Sequence, residues 1–327
     1  MEDIPGHSLP DYTEASRNDA LFHYTTASGL IGIFRDRELW TTTYHCANDE
    51  TELAAGKGVL EPLFREKTLE LIRSNDARVV TFHHRGVDPM EYGNKFEGTL
   101  VGLALNSLSA FMSCFCKPNG QEDFHHGLLS QWRGYGTDGG YALHFSREKL
   151  VAAIKRAKRA DGLNYELQDV YYAAENTLKA EVLKHADAFV SAYLRFLDHF
   201  AEPLEFRMRT VPNLLADLVN GPLEALLDYL IHTKSSHFGE ERECRLSLVQ
   251  LIRAGVASLP VSFFNRGGLL VPYTKTPASF DVLECIEWIV IGPGPRMEAR
   301  FKSVGHLIRQ SGQSIKLRVS HIPFTRF

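Results

Sequence analysis

The 327-residue sequence has little cysteine, no surplus of charge and no long apolar run, and each shortage removes a class of protein. Five cysteines (Cys46, Cys114, Cys116, Cys244 and Cys285) are odd in number and thinly spread. That argues against a disulfide framework and for reduced thiols that serve in packing. Lys and Arg total 36 against 40 Asp and Glu, a formal net charge of -4, so there is no broad field for gripping phosphate backbones. No apolar stretch approaches the roughly 20 residues that span a bilayer. The start, Met1-Glu2-Asp3-Ile4-Pro5, lacks a basic-then-apolar secretion signal, so a cytoplasmic protein with no membrane contact is expected. Internal repeats and low-complexity tracts are also missing. Cys114-Phe115-Cys116 followed by His125-His126 does not have zinc-ligand spacing, and no metal site is expected there.

What is present is an ordinary core-forming composition, 44% hydrophobic, spread over alternating short strands and helices. Residues 1–20 are polar and read as a loosely docked leader. Leu21 to Thr25 reads as a strand, and Thr26 or Ser28 can cap a helix bearing Leu30, Ile31, Ile33 and Phe34. Further strands are expected at Glu38 to Thr43, Ala110 to Cys116, Tyr141 to Phe145, 269–273, 286–291 and 315–322, and helices near 50–73, 99–109, 146–159 and 297–310. Residues 82–98 read as a loop or flap. The span 173–233 is helical in pattern and interrupted by Pro203, Pro212 and Pro222. The expected fold is therefore α+β: one domain over 21–327, a mixed or antiparallel sheet core, and a helical insertion at about 173–233.

Three stretches carry chemistry. In Glu240-Glu241-Arg242-Glu243-Cys244-Arg245-Leu246, strand alternation would put Glu241, Glu243 and Arg245 on one face. That charged face is either solvated or lines a cleft. On a solvated edge, replacing either glutamate should change stability by less than about 0.5 kcal/mol; in a cleft that is an active site the two carboxylates should repel, so replacing one should leave stability equal or higher while turnover is lost. In Gln131-Trp132-Arg133-Gly134-Tyr135-Gly136, two aromatic side chains and a cation sit beside glycines that let a backbone approach a ligand; alternatively Trp132 and Tyr135 are core. Gly292-Pro293-Gly294, between a strand and a helix, reads as a turn, because prolines remove the N–H donors a phosphate cradle needs.

Taken in order, His23-Tyr24-Thr25, Trp40, Asn48-Asp49, Ser113-Cys114-Phe115, Gln131 to Gly136, Lys234 to Arg245 and Ile291-Gly292-Pro293 resemble the DUF2971 family of bacterial proteins. Cys116 and Cys244 depart from the pattern, and neither change touches a charged position. More distantly, the motifs are similar to ADP-ribosyltransferase folds. That resemblance implies NAD as substrate and an acceptor macromolecule or water, in a toxin or a phage-defence factor. It implies His23 as ligand of the nicotinamide ribose, with Tyr24, Thr25 and Asn48 beside it, and Ser113 as the brace of a late-strand glutamate. Glu243 or Glu241 becomes the catalytic acid, and Trp132, Arg133 and Tyr135 contact the nucleotide. The residue types suit the chemistry, since a carboxylate stabilises an oxocarbenium-like centre and an Arg fork pairs with diphosphate oxygens. Two other readings remain: a non-catalytic nucleotide sensor on the same fold, and a metal-dependent nuclease gathering Mg²⁺ on Glu241, Glu243 and Asp138.

Overall fold

The computed structural model describes residues 12–46, 52–86, 88–91, 98, 108–136, 139–172, 186–201, 231–251 and 260–323. Strands are β1 (Ala20–Thr25), β2 (Trp40–Thr43), β3 (Leu108–Cys116), β4 (Tyr141–Ser146), β5 (Tyr165–Asp169), β6 (Tyr171–Tyr172), β7 (Thr233–Lys234), β8 (Glu243–Leu251), β9 (Ser262–Arg266), β10 (Leu269–Lys275), β11 (Ile286–Ile291) and β12 (Lys316–Val319). Helices are α1 (Glu14–Asp19), α2 (Ala27–Asp36), α3 (Glu52–Arg73), α4 (Ala77–His84), α5 (Gln121–His126), α6 (Leu129–Tyr135), α7 (Arg147–Asp161), α8 (Ala186–Ala201) and α9 (Met297–Ser311).

Ten strands form one sheet in the order β12-β11-β4-β1-β3-β2-β10-β9, with β8 on the other edge of β3 and β5 beyond it. Every pairing in it is antiparallel except β11 with β12, which α9 connects as a parallel βαβ unit. The fold is thus α+β with a mixed sheet. β6 and β7 form a separate parallel pair.

Alternation divides the sheet into two apolar faces. On the first, Leu21, Phe115, Leu143, Phe145, Leu246 and Ile289 meet α2 through Leu30, Ile33 and Phe34, α7 through Leu150, Ala153 and Ala157, and α9 through Val304 and Ile308. α2 is placed as its sequence requires: the Thr26 hydroxyl accepts from Gly29 N–H, and Arg37 closes the helix in the left-handed conformation at φ 59°. On the second face, Phe22, Tyr24, Cys116, Ala142, Trp288 and Val290 pack under α5 and α6 through Phe124, Leu128 and Trp132.

Two expectations need correction. The leader is specifically docked from Tyr12 onward: Thr13 and Ser16 form a reciprocal cap for α1, the Tyr12 ring meets Phe124, and Asp19 Oδ1 accepts from Glu148 N–H. His83 and His84 lie in α4, which Asp76 caps, rather than in a flap. α8 falls within the expected helical insertion; residues 173–185 and 202–230 lie outside the described residues.

The second face encloses a histidine that costs stability when it charges. His144 is 2% exposed and stacks on Trp288 with ring centroids 3.4 Å apart. Among the described residues neither ring nitrogen has a hydrogen-bond partner; the Glu287 carboxylate stands 3.9 Å from Nδ1. Burial first, then the Arg318 and Lys149 charges, hold its pKa well below 6.5. The folded chain keeps this imidazole neutral while the unfolded chain protonates it, so stability present above about pH 6.5 is lost as pH falls below it. Thermal melting between about pH 7.5 and 5.5 should show a slope that His144→Phe reduces by up to one proton's worth, about 1.4 kcal/mol per pH unit. An unchanged slope would remove His144 from the account.

Candidate functional site

β8 begins one turn later than the charge pattern suggests. Residues Ser236–Glu241 form a 3-10 helix started by Ser235, and Arg242 follows in the left-handed region at φ 44°. Glu241 is therefore outside the strand, while Glu243, Arg245 and Ser247 share one strand face. The exit of β3 clamps this bend. Lys117 N–H is shared between the Glu241 and Arg242 carbonyls, Asn119 Nδ2 donates to Glu240 O, and Arg242 Nη1 donates to Pro118 O.

The bend brings both glutamates to one cation. Lys234 Nζ, at the end of β7, donates to Glu241 Oε2 and to Glu243 Oε2, each at 2.8 Å. Arg245 Nε donates to Glu243 Oε1 at 2.6 Å, and Arg245 Nη1 reaches Ile231 O. The Glu243 backbone N–H donates to the Tyr172 hydroxyl at 2.6 Å. Glu243 is 3% exposed, and burial alone would raise its pKa. The charge and hydrogen bond of Arg245, followed by the charge of Lys234, reverse that and hold it at about 2. Lys234 is raised despite its own burial, chiefly by Glu243 and Glu241. The carboxylates therefore do not confront each other. An ammonium lies between them, so the repulsion expected of two facing carboxylates is replaced by a shared cation, and removing one carboxylate is expected to cost stability.

Strand register shows what surrounds this cluster. Cys116 pairs with Glu243 and Cys114 with Arg245, so both thiols share the charged face. Cys114 is exposed, and its proximity adds a small lowering influence on the Glu243 carboxyl. Tyr135, from the end of α6, is 45% exposed. Its phenol is pushed up to about 12, by desolvation first and then by Cys114, Cys116 and Glu241. Phe238 is 37% exposed, with the Lys234 ammonium 4.8 Å from its ring centroid. The arrangement is a buried, fixed pair of charges carrying a half-buried carboxylate, Glu241, at a rim of exposed aromatic rings and one thiol.

Several sequence-predicted residues lie elsewhere. His23 pairs with Leu143 and its ring meets Phe115, which places it on the first face, opposite Glu243. Its Nδ1 contacts Cys114 O at 3.0 Å where β1 and β3 separate, and burial lowers its pKa. Ser113 pairs with Leu246 on that same first face, so it cannot brace Glu243; its Oγ is buried without a partner among the described residues. Tyr24 is buried and its hydroxyl accepts from Leu128 N–H, which ties β1 to α6. Thr25 is half-buried at the end of β1, its hydroxyl lying against Gly29. Asn48 and Asp138 lie outside the described residues.

Trp132 is fully buried, so it offers no face to a ligand. Its Nε1 donates to His126 O, and its ring stands edge-on to Tyr24 at 4.9 Å between centroids. The surrounding glycines serve the indole rather than a ligand. A Cβ would come within 2.9 Å of it at Gly127, 2.9 Å at Gly136 and 2.5 Å at Gly292. Arg133 is exposed on α6, but two helical positions separate it from Tyr135 by about 200°, so they do not line one surface.

Three contributors were not among the expected site residues: Lys234 and Phe238, which lie in a stretch of the family-like motif series with no role of their own, and Cys114, which was expected to serve in packing and is exposed instead. Lys234 had one detectable signal, a lone lysine shortly before a pair of carboxylates; the positions of Phe238 and Cys114 depend on a bend and a register that sequence alone does not specify. Among the described residues, no group of three His, Cys, Asp or Glu side chains is placed to hold a metal ion. Among them too, no helix is long and apolar enough to cross a membrane.

The fold and site thus define an α+β protein with a charged cluster on one face of a mixed sheet. Residues 131–246 match the family described as "Protein of unknown function (DUF2971)", a span that runs from Gln131 on α6 to Leu246 on β8. No curated protein and no solved structure matches the chain.

Proposed function

We propose that the Glu241–Lys234–Glu243 cluster is the reacting centre of an NAD-using enzyme of the ADP-ribosyltransferase type, passing ADP-ribose to a macromolecule or to water, as a toxin or defence factor would. The observation that carries this reading is the convergence of two carboxylates on one buried lysine beside exposed Tyr135 and Phe238. Its chemistry requires a carboxylate near a developing oxocarbenium centre and a planar surface for a heteroaromatic leaving group. Glu241 is the group that meets substrate, because its Oε1 lies outside the lysine pairing while both oxygens of Glu243 are bonded. Glu243 is a positioning residue, fixing Lys234 and through it Glu241. Tyr135 keeps the nucleotide-facing role it shared with Trp132 in the sequence expectation, and Phe238 takes the place of Trp132.

The test is NAD loss catalysed by purified chain, with and without a metal chelator. Glu241→Gln should lower turnover at least about a hundredfold, the lower range for losing a positioned acid or base, and the chelator should change nothing. NAD binding without consumption would assign the fold to a nucleotide sensor. Neither binding nor consumption would end the reading, and activity on nucleic acid that the chelator abolishes would favour the nuclease.

A further inference from the structure

The segment from β12 to Ile322 is tied to α5 by contacts that only uncharged histidines can make. Arg318 Nη1 donates to His125 Nδ1 at 3.2 Å, and because a guanidinium has no acceptor, that ring nitrogen must carry a lone pair. The backbone N–H of His321 donates to His126 Nδ1 at 3.4 Å, with the same requirement. Ser320 Oγ donates to His126 O at 2.8 Å, the one bond of these three that a proton on the ring leaves intact. Protonating either Nδ1 turns an acceptor into a donor that faces a donor, and sets a new cation beside Arg318. The surrounding charges offset little of this. On α5, the Glu122 carboxylate stands 3.8 Å from His126 Nε2 but is 91% exposed, and Asp123 is engaged with Asn119 N–H. The Phe124 ring stands edge-on to His125, His144 and Trp288, and beyond it Glu287 is paired with Lys149 at 3.3 Å. Arg318 lies over the Trp288 ring, 4.7 Å from its centroid, and burial pulls its pKa down to about 10.

We propose that α5 and residues 318–322 form an acid-released latch, closed while His125 and His126 are neutral and open once they charge. His125 is 5% exposed, and desolvation is the largest influence holding both rings below the ordinary 6.5. The Arg318 charge comes next at His125 and the His321 ring at His126, with Glu122 opposing at each. The closed state keeps the imidazoles neutral and the open state lets them protonate near 6.5, so latch stability is present above about pH 6.5 and is lost as pH falls below it. Each such histidine raises the open population by up to about tenfold between about pH 7.5 and 5.5. Opening lifts Arg318 from Trp288 and Ile322 from the second face. It also loosens α6, because α5 runs into it through Gly127 and His126 O accepts from Trp132 Nε1 as well as from Ser320. Tyr135 ends α6, so the latch acts on the rim of the charged cluster whatever reaction that cluster performs.

Hydrogen exchange of the full-length chain, followed by mass spectrometry at about pH 7.5 and 5.5 and corrected for intrinsic rates, reads the open population peptide by peptide. Peptides covering 120–136 and 316–323 should lose protection at least about tenfold more than those of α2 and α7 on the first face. An asparagine places an acceptor oxygen near the Nδ1 position and does not titrate, so the double variant His125→Asn/His126→Asn should abolish that extra loss. If the double variant melts below wild type at about pH 7.5, His126→Asn alone replaces it and should shrink the loss at least about threefold. The latch is overturned by a wild-type chain with no extra loss, by an equal loss in α2 and α7, or by a loss that the asparagines leave unchanged. A loss abolished by His144→Phe alone overturns it too, by assigning the titration to His144. The readout needs no NAD, so its outcome is separate from that of the enzymatic reading.

Discussion

Glu243→Ala should lower unfolding stability by about 3–5 kcal/mol, the range for removing one partner of a buried ion pair. The reason is what the substitution leaves behind. Arg245 is 1% exposed and would lose the acceptor of its Nε, and Lys234 would lose one of the two carboxylates it bridges. Glu243→Gln keeps the shape and one acceptor oxygen, so it should cost less, about 1–3 kcal/mol. Replacing Glu243 and Arg245 together with leucine should recover part of the loss, because no uncompensated buried charge remains at that pair. Urea unfolding of the three variants measures all of this, and a Glu243→Ala protein within about 0.5 kcal/mol of wild type would refute it. The pH dependence has a defined sign. The folded pKa is about 2 against an ordinary 4.5, so the contribution is fully present above about pH 4.5 and disappears as pH falls through about 2.

Trp132→Ala should cost a similar amount, about 3–5 kcal/mol, because an entire indole leaves a site that its glycine neighbours cannot refill. Gly292→Ala attacks the same contact from the other side. The new methyl would lie 2.5 Å from an indole carbon, and overpacking of this kind costs about 1–3 kcal/mol. Combining Gly292→Ala with Trp132→Phe should cost less than the sum of the single changes, since the smaller ring vacates the space the methyl needs. A double-mutant cycle by denaturant unfolding reads this directly, and strictly additive costs would show that Gly292 and Trp132 do not share a contact.

Local pattern was legible in the sequence wherever a short-range rule governed it. Thr26 and Ser146 cap α2 and α7 as their positions before apolar-periodic runs suggest, and β1, β3, β4 and β11 lie where β-branched and aromatic residues cluster. The shared face of Glu243 and Arg245 followed from alternation alone. What alternation could not supply was the register between strands. Ser113 and Cys114 are adjacent, and only the pairing with β8 decides which of them meets the glutamate. Glu241 joined the cluster for another reason, the left-handed Arg242, a conformation that an arginine code does not announce. Trp132 was ambiguous because glycines beside an aromatic residue suit a ligand and a buried indole equally, and only three-dimensional proximity separates them.

The pairing of β3 with β8 has a consequence for how this protein can be divided. The two strands come from widely separated parts of the chain, yet each residue of the charged face on β8 lies against β3. The segment 131–246, excised and expressed alone, would contain Lys234, Glu241, Glu243 and Tyr135 but would lose Cys114 and the whole neighbouring strand, leaving only β5 to shield the backbone of β8. During synthesis the corresponding edge of β3 stays unpaired until residues past 243 have left the ribosome, and the loop that must then close is long, which slows folding of this region relative to local helices. The charged centre is therefore a late product of the chain, and any cut between residues 117 and 242 separates the two strands that build it.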